Sequence, residues 1–160
     1  MTYKTHTSKG WIDLAQKYAD AMSGCNKVAV GSVIVKDGRM VSFGANRAVP
    51  DLCQARGCLR KERYGDDSKA HRDPADCRAI HSEIDAICSA AKAGTIIDGS
   101  AIYVTRYPCE SCAKAIIASG IKTVYYGGTA QVSEDTEHML DLYGVDLIWV
   151  KDYGGESNDR

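Results

Sequence analysis

Residues 100–126, SAIYVTRYPCESCAKAIIASGIKTVYY, decide how this chain is read. The run at 100–105 is rich in β-branched and aromatic residues and reads as a strand. Pro108 then precedes Cys109-Glu110-Ser111-Cys112, and residues 109–119 read as a helix that Gly120 ends. Residues 121–126, IKTVYY, return to the strand pattern. Strand and helix therefore alternate through this part of the chain.

Working outward, HSEIDAICSAAKA (81–93) is a second helix, with Ile84, Ile87, Cys88 and Ala91 on one face and Gly94 as its stop. After the second strand, 134–143 reads as a helix and 145–150 as a last strand. Towards the N-terminus, VAVGSVIV (28–35) is a nearly continuous β-branched run, the mark of a strand buried on both faces. Asp37-Gly38 is a hairpin turn signal, and MVSFGA (40–45) returns as its partner. Residues 10–22 place Trp11, Leu14, Ala15, Tyr18 and Met22 at helical spacing. A helix, a hairpin and then alternating strands and helices give an α/β fold, a three-layer α/β/α sandwich on a mixed five-stranded sheet.

Residues 1–150 are expected to form a single domain interrupted by an insert at 46–77. The insert is polar, rich in Arg and Asp, and has one short helix at CLRKERY (58–64). Three of the seven cysteines, Cys53, Cys58 and Cys77, lie in it and argue that something ties it down. Residues 151–160 read as a disordered tail.

A chain of 160 residues with 44% hydrophobic and 26% charged residues is globular in composition. Its net charge of −1 lowers the expectation of nucleic-acid binding, which starts from a basic excess. No window approaches the ~18 apolar residues of a membrane span. The N-terminal MTYKTHTSKG has no apolar signal core, so a cytoplasmic protein is expected, and intracellular thiols or metal ligation explain the odd number of cysteines better than disulfides do.

The chemistry is concentrated in two helix starts. His81 offers an imidazole, Cys109 and Cys112 offer two sulfurs from one side of a first turn, and helix N-termini favour thiolate. Three protein ligands leave a fourth position open, which separates a catalytic zinc from a closed structural one. Glu83, two residues past His81, is poorly placed to ligate the same ion but is able to reach that fourth position. Water made acidic by zinc would lose its proton to Glu83, which returns protons to the ring nitrogen and the departing ammonia. H-x-E followed by P-C-x-x-C is the pattern of zinc-dependent nucleobase deaminases.

Through these motifs, and through VGSVIVKDGRMVSFGAN, HSEIDAI and YVTRYPCESCAKAIIASGIKTVYYGG, the chain resembles the cytidine and deoxycytidylate deaminases. The resemblance runs from about Trp11 to Val150. It implies zinc on His81, Cys109 and Cys112, Glu83 as proton shuttle, and deamination of dCMP to dUMP for thymidylate synthesis. It also implies a homohexamer activated by dCTP and inhibited by dTTP, with Mg2+ accompanying a triphosphate effector. Asn46 matches the residue that holds the sugar hydroxyl, and the main-chain N–H groups of Ser82 and Glu83 would meet the pyrimidine carbonyl. Tyr126 is placed to stack on base or sugar, and Asn26 and Lys27 to meet the phosphate. Cys25, Cys53, His71 and Cys77 fit the places of a second, structural zinc, with Cys58 an alternative to Cys77. Arg56, Arg60 and Lys92 are candidates for effector binding. The chain departs from the family at Asp85, where Asn is usual, and at Ser82, where Ala is commoner. Cytosine, cytidine, riboflavin-pathway and tRNA adenosine deaminases, and a non-catalytic zinc module, are the rival readings.

Overall fold

The computed structural model describes residues 4–25, 27–48, 52–65, 77–128, 132–151 and 153. In chain order the elements are α1 (Lys4–Met22), β1 (Gly31–Lys36), β2 (Arg39–Ala45), β3 (Arg47–Ala48), α2 (Leu52–Arg56), α3 (Leu59–Tyr64), β4 (Ala79–Ile80), α4 (Ser82–Ala93), β5 (Ala101–Val104), α5 (Glu110–Ala118), β6 (Thr123–Tyr126), α6 (Glu134–Leu142) and β7 (Asp146–Trp149). The main sheet has the order β2-β1-β5-β6-β7. β1 runs antiparallel to both β2 and β5, whereas β5, β6 and β7 are parallel. The expected three-layer sandwich on a mixed five-stranded sheet is therefore the fold.

Alternation along the strands sorts two cores. On one face Ile34, Ile102, Val104 and Val124 pack against Ala86 and Ala90 of α4, Ala113 and Ile116 of α5 and Leu140 of α6. On the other, Val33, Val35 and Tyr103 meet Ile12 and Ala15 of α1 and Tyr153. The β1–β2 turn has Asp37 and Gly38 at φ 51 and 73, the primed-turn geometry that matches strand twist.

The inward faces of α1 and α4 differ from the expected ones. In α1 the fully buried positions are Ile12, Ala15 and Ala19, while Leu14 and Met22 are 38% and 45% exposed. In α4 the buried positions are Ser82, Glu83, Asp85, Ala86 and Ala90, and Cys88 is exposed. The cause is close approach. A Cβ on Gly31 would lie 1.9 Å from the Ala15 carbonyl oxygen, and one on Gly44 would lie 2.3 Å from that of Ser82 and 2.4 Å from the Ala86 nitrogen. Only small residues fit where helix and strand backbones touch, so large apolar residues are turned outwards.

The insert contributes α2, α3 and a two-residue ribbon in which β3 pairs with β4. Arg78 caps this part, donating to the Gly57 carbonyl at 3.0 Å and to Glu62 Oε1 at 3.1 Å. The expectation of a structureless tail does not hold for Tyr153. It is 8% exposed, its hydroxyl donates to Gln16 Oε1 at 3.1 Å, and its ring fills the space beside Gly127. Residues 152 and 154–160 lie outside the described residues.

Candidate active site

α4 and α5 both begin at the same end of the sheet, and their N-caps are His81 and Cys109. Cys112 sits in the first turn of α5. The three ligand atoms lie within 4.8 Å of one another, and the Nδ1 of His81 is 3.4 Å from each sulfur. Among the described residues this is the group placed to hold a metal ion. One imidazole and two sulfurs converging, with no fourth ligand grouped with them among the described residues, is a donor set that fits catalytic zinc.

Electrostatics favour that use. Hydrogen bonding from Cys112, then from His81, draws the Cys109 thiol down to about 4, so it is held as thiolate. Cys112, bonded to Cys109 and buried, is pushed the other way and keeps its proton. Cys109, followed by Cys77, raises His81 to about 10. A divalent cation held by these groups would displace such protons and neutralise the charge that the thiolate carries.

Glu83 is 4% exposed, and burial raises its pKa above the usual carboxylate value. Its Oε2 accepts from Ser82 Oγ at 3.1 Å, and Ser82 Oγ lies 2.7 Å from Ser32 Oγ on β1. Asp85 is bound from β2 and β3: Oδ2 accepts from the Ala45 N–H at 3.1 Å, and Oδ1 pairs with the Arg47 guanidinium.

These groups open onto a cavity of ≈ 620 Å³. His81, Ser82, Glu83, Pro108 and Cys109 form its chemical wall. Lys27, Val28, Val30 and Asn46 line it from the segment before β1, and Arg106, Tyr107, Val132, Ser133 and Thr136 from the loops around α5 and α6. Cys25, Cys58, Arg60, Cys77, Ala79 and Glu110 complete the lining. Arg60 Nε and Thr136 Oγ1 are buried and have no hydrogen-bond partner among the described residues.

Asn46 reaches the cavity but also organises it. Its Oδ1 accepts from the Val30 N–H at 2.9 Å and Ser23 Oγ at 2.6 Å, and its Nδ2 donates to the Val28 carbonyl at 2.9 Å. Tyr126 does not line the cavity. It is 8% exposed and meets Tyr107 edge-on, with centroids 5.1 Å apart. Tyr107 is the aromatic residue of the wall, held by its hydroxyl donating to the Ser133 carbonyl at 3.2 Å. The loop between strand and P-C-x-x-C was the available signal, since Arg106 and Tyr107 occupy it.

Arg60, expected at an effector site, lies in this cavity, whereas Arg56 is exposed on α2 and Lys92 is exposed in the last turn of α4, roughly 15 Å of helix from Ser82. The three are not brought together. Cys53 is buried, and burial followed by the neighbouring Cys25, Cys77 and Cys58 thiols pushes its thiol up. These four cysteines are neighbours, and among the described residues they do not form a metal-holding group. Asn26 and His71 lie outside the described residues. Among the described residues no helix is long and apolar enough to cross a membrane.

Comparison with known proteins agrees with this geometry. Residues 5–128 match the family model described as the cytidine and deoxycytidylate deaminase zinc-binding region. ComE operon protein 2 of Bacillus subtilis (strain 168) is 38% identical over 141 residues, covering 86% of this chain and 69% of that protein. Deoxycytidylate deaminase of Enterobacteria phage T4 is 32% identical over 133 residues, covering 65% and 69%. The crystal structure of the dCMP deaminase of cyanophage S-TIM5 in complex with dCMP and dUMP superposes with a TM-score of 0.67 at 25% identity, covering 91% of this chain and 98% of that one. With its imidazole and two sulfurs at paired helix starts and a family match over most of its length, the chain belongs to the cytidine and deoxycytidylate deaminases.

Proposed function

We propose that this protein hydrolyses dCMP to dUMP and ammonia. The observation that carries the substrate choice is the cavity lining: Lys27, Arg60 and Arg106 share one cavity with Glu83, His81 and Cys109. Of the two carboxylates on the same lining, Glu110 is already paired with Lys114 and Glu83 is the shuttle, so a phosphomonoester supplies the counter-charge that a neutral base or nucleoside would not. The unpartnered Arg60 Nε and Thr136 Oγ1 likewise favour a ligand rich in polar atoms. The relatives named deoxycytidylate deaminase support the same reading.

His81, Cys109 and Cys112 would hold the zinc, which when bound supplies the Lewis acidity that makes water a nucleophile at neutral pH. Glu83 takes a proton and returns protons to the ring nitrogen and to the leaving amine. Burial suits it to this exchange, because a raised carboxylate pKa brings proton uptake and release closer to neutrality. The N–H groups of Ser82 and Glu83, free of helix partners at the start of α4, orient the pyrimidine carbonyl. Asn46 has a second Nδ2 hydrogen for a sugar hydroxyl, and the Tyr107 ring closes the cavity over the base.

Ammonia release from dCMP, deoxycytidine, cytidine and cytosine, compared side by side, tests this reading. The expected result is a kcat/KM for dCMP at least about a hundredfold above that for deoxycytidine, the worth of one or two charge-assisted contacts. Equal rates would remove the phosphate from the argument.

Supply of dUMP for thymidylate synthesis, dCTP activation, dTTP inhibition, Mg2+ with the triphosphate and a hexameric state belong to the same proposal and rest on the family likeness. Sedimentation with and without dCTP tests the last of these. A second zinc on Cys25, Cys53, His71 and Cys77 or Cys58 is supported by the closeness of the four thiols. Metal analysis giving two zinc ions per chain is its expected result, and one its refutation.

A further inference from the structure

We infer that Ser32 and Ser82 are positioning residues that hold the Glu83 carboxylate in one orientation. The inference rests on Glu83 being the proton shuttle of the proposed reaction. Ser82 Oγ is 3.1 Å from Glu83 Oε2 and 2.7 Å from Ser32 Oγ, and both serines are completely buried. An ionised carboxylate only accepts, so the Ser82 hydroxyl is the donor to Oε2. A serine has a single hydrogen to donate. With that of Ser82 committed to Glu83, the 2.7 Å contact requires Ser32 to donate to Ser82. The chain of hydrogen bonds therefore runs one way, from β1 through the first residue of α4 to the carboxylate.

This direction makes the two carboxylate oxygens inequivalent. Oε2 is held from the sheet side by the Ser82 hydroxyl, and that bond sets the plane of the carboxylate. A glutamate has three rotatable side-chain bonds, and misplacing its oxygen by about 1 Å is enough to cost a large factor in rate. Alanine at position 82 would remove the bond that ties Oε2 to β1 through Ser32. The competing reading is a strut: the serine pair would merely join α4 to β1.

The test uses Ser82→Ala, Ser32→Ala and the double variant, with Glu83→Gln as control, each measured with dCMP for zinc content, thermal midpoint, KM and single-turnover rate. The expected single-turnover rate of Ser82→Ala per bound zinc falls about tenfold, the worth of a hydrogen bond to a charged group, with KM unchanged. Ser32→Ala falls about threefold, and the double variant matches Ser82→Ala because Ser32 acts only through Ser82. A Ser82→Ala rate within twofold of the parent, or losses in the two single variants that multiply in the double, would overturn the inference. A lowered midpoint with the rate retained would assign the pair to the strut. Survival of activity in Glu83→Gln would instead strike at the shuttle role itself, so the two failures are told apart.

Discussion

Arg47 and Asp85 form an ion pair that fixes the start of β3 to the first turn of α4, four residues from His81. Asp85 is nearly buried and also accepts the Ala45 N–H, and Arg47 answers its charge from a half-exposed position. The hydrogen bond to Asp85 raises the pKa of Arg47. Where the family usually has a neutral Asn, this chain has a charge and a partner for it.

Replacing Arg47 with Ala should therefore destabilise the fold by about 1–3 kcal/mol, since it strands a buried carboxylate. Adding Asp85→Asn should recover most of that loss, because Asn still accepts the Ala45 N–H. Urea unfolding of both single variants and the double checks this, and additive losses would mean that the two residues are not coupled.

Exchange of Glu83 for Gln should leave zinc bound and lower kcat by roughly 10²–10⁴, the usual contribution of a general acid/base. Metal analysis beside the ammonia assay separates loss of the shuttle from loss of the metal.

At Gly44 a methyl group has nowhere to go, since main-chain atoms of Ser82 and Ala86 stand within 2.4 Å of it. Gly44→Ala should cost about 1–3 kcal/mol as overpacking. It should also lower zinc occupancy, because the strain is relieved by moving the turn that carries His81. Unfolding midpoint and bound zinc, read on the same sample, are the measurements.

Arg106→Ala should raise KM for dCMP about tenfold while leaving deoxycytidine kinetics unchanged, as removal of one solvent-accessible charge-assisted contact predicts. A parallel loss with deoxycytidine would make Arg106 a general wall residue.

Tyr153 yields a prediction at alkaline pH. Burial, followed by Asp13 and Asp20, raises its phenol pKa to about 12. A phenol near the ordinary value of about 10 in the unfolded chain ionises first. Stability should thus be intact below pH 10 and decline as pH rises towards 12. Tyr153→Phe should show a shallower decline there, at the cost of the bond to Gln16, in unfolding experiments stepped across that range.

The elements that carry their own period were legible in the sequence: the β-branched run of β1, the turn at Asp37-Gly38 and the glycine-stopped helices α4 and α5. So was the meeting of His81 with Cys109 and Cys112, since both motifs were expected to open helices. The rest depends on partners distant in the chain. Ala15 was expected on the inner face of α1, but Ala86 became an interior position because Gly44 faces it. The β3–β4 ribbon joins residues separated by the whole insert, and neither strand is long enough to show alternation. Tyr126 and Tyr107 are both plausible stacking residues by composition. Which one lines the cavity follows from the loop before α5 passing over the end of β6. Tyr153 lies in a glycine-rich, polar stretch that conceals a buried ring.

The hairpin of β1 and β2 has consequences for adaptation to new substrates. Its glycines hold α1 and α4 at main-chain contact, so the wall bearing His81 and Glu83 has no side-chain slack through which mutation could adjust it. Lys27, Arg106 and Val132, by contrast, are exposed side chains on the same cavity. Selection for another pyrimidine would find its tolerated changes there, leaving the reactive groups untouched. The fold separates a wall that resists variation from a rim that admits it, and a library confined to the rim is the efficient way to redirect this enzyme.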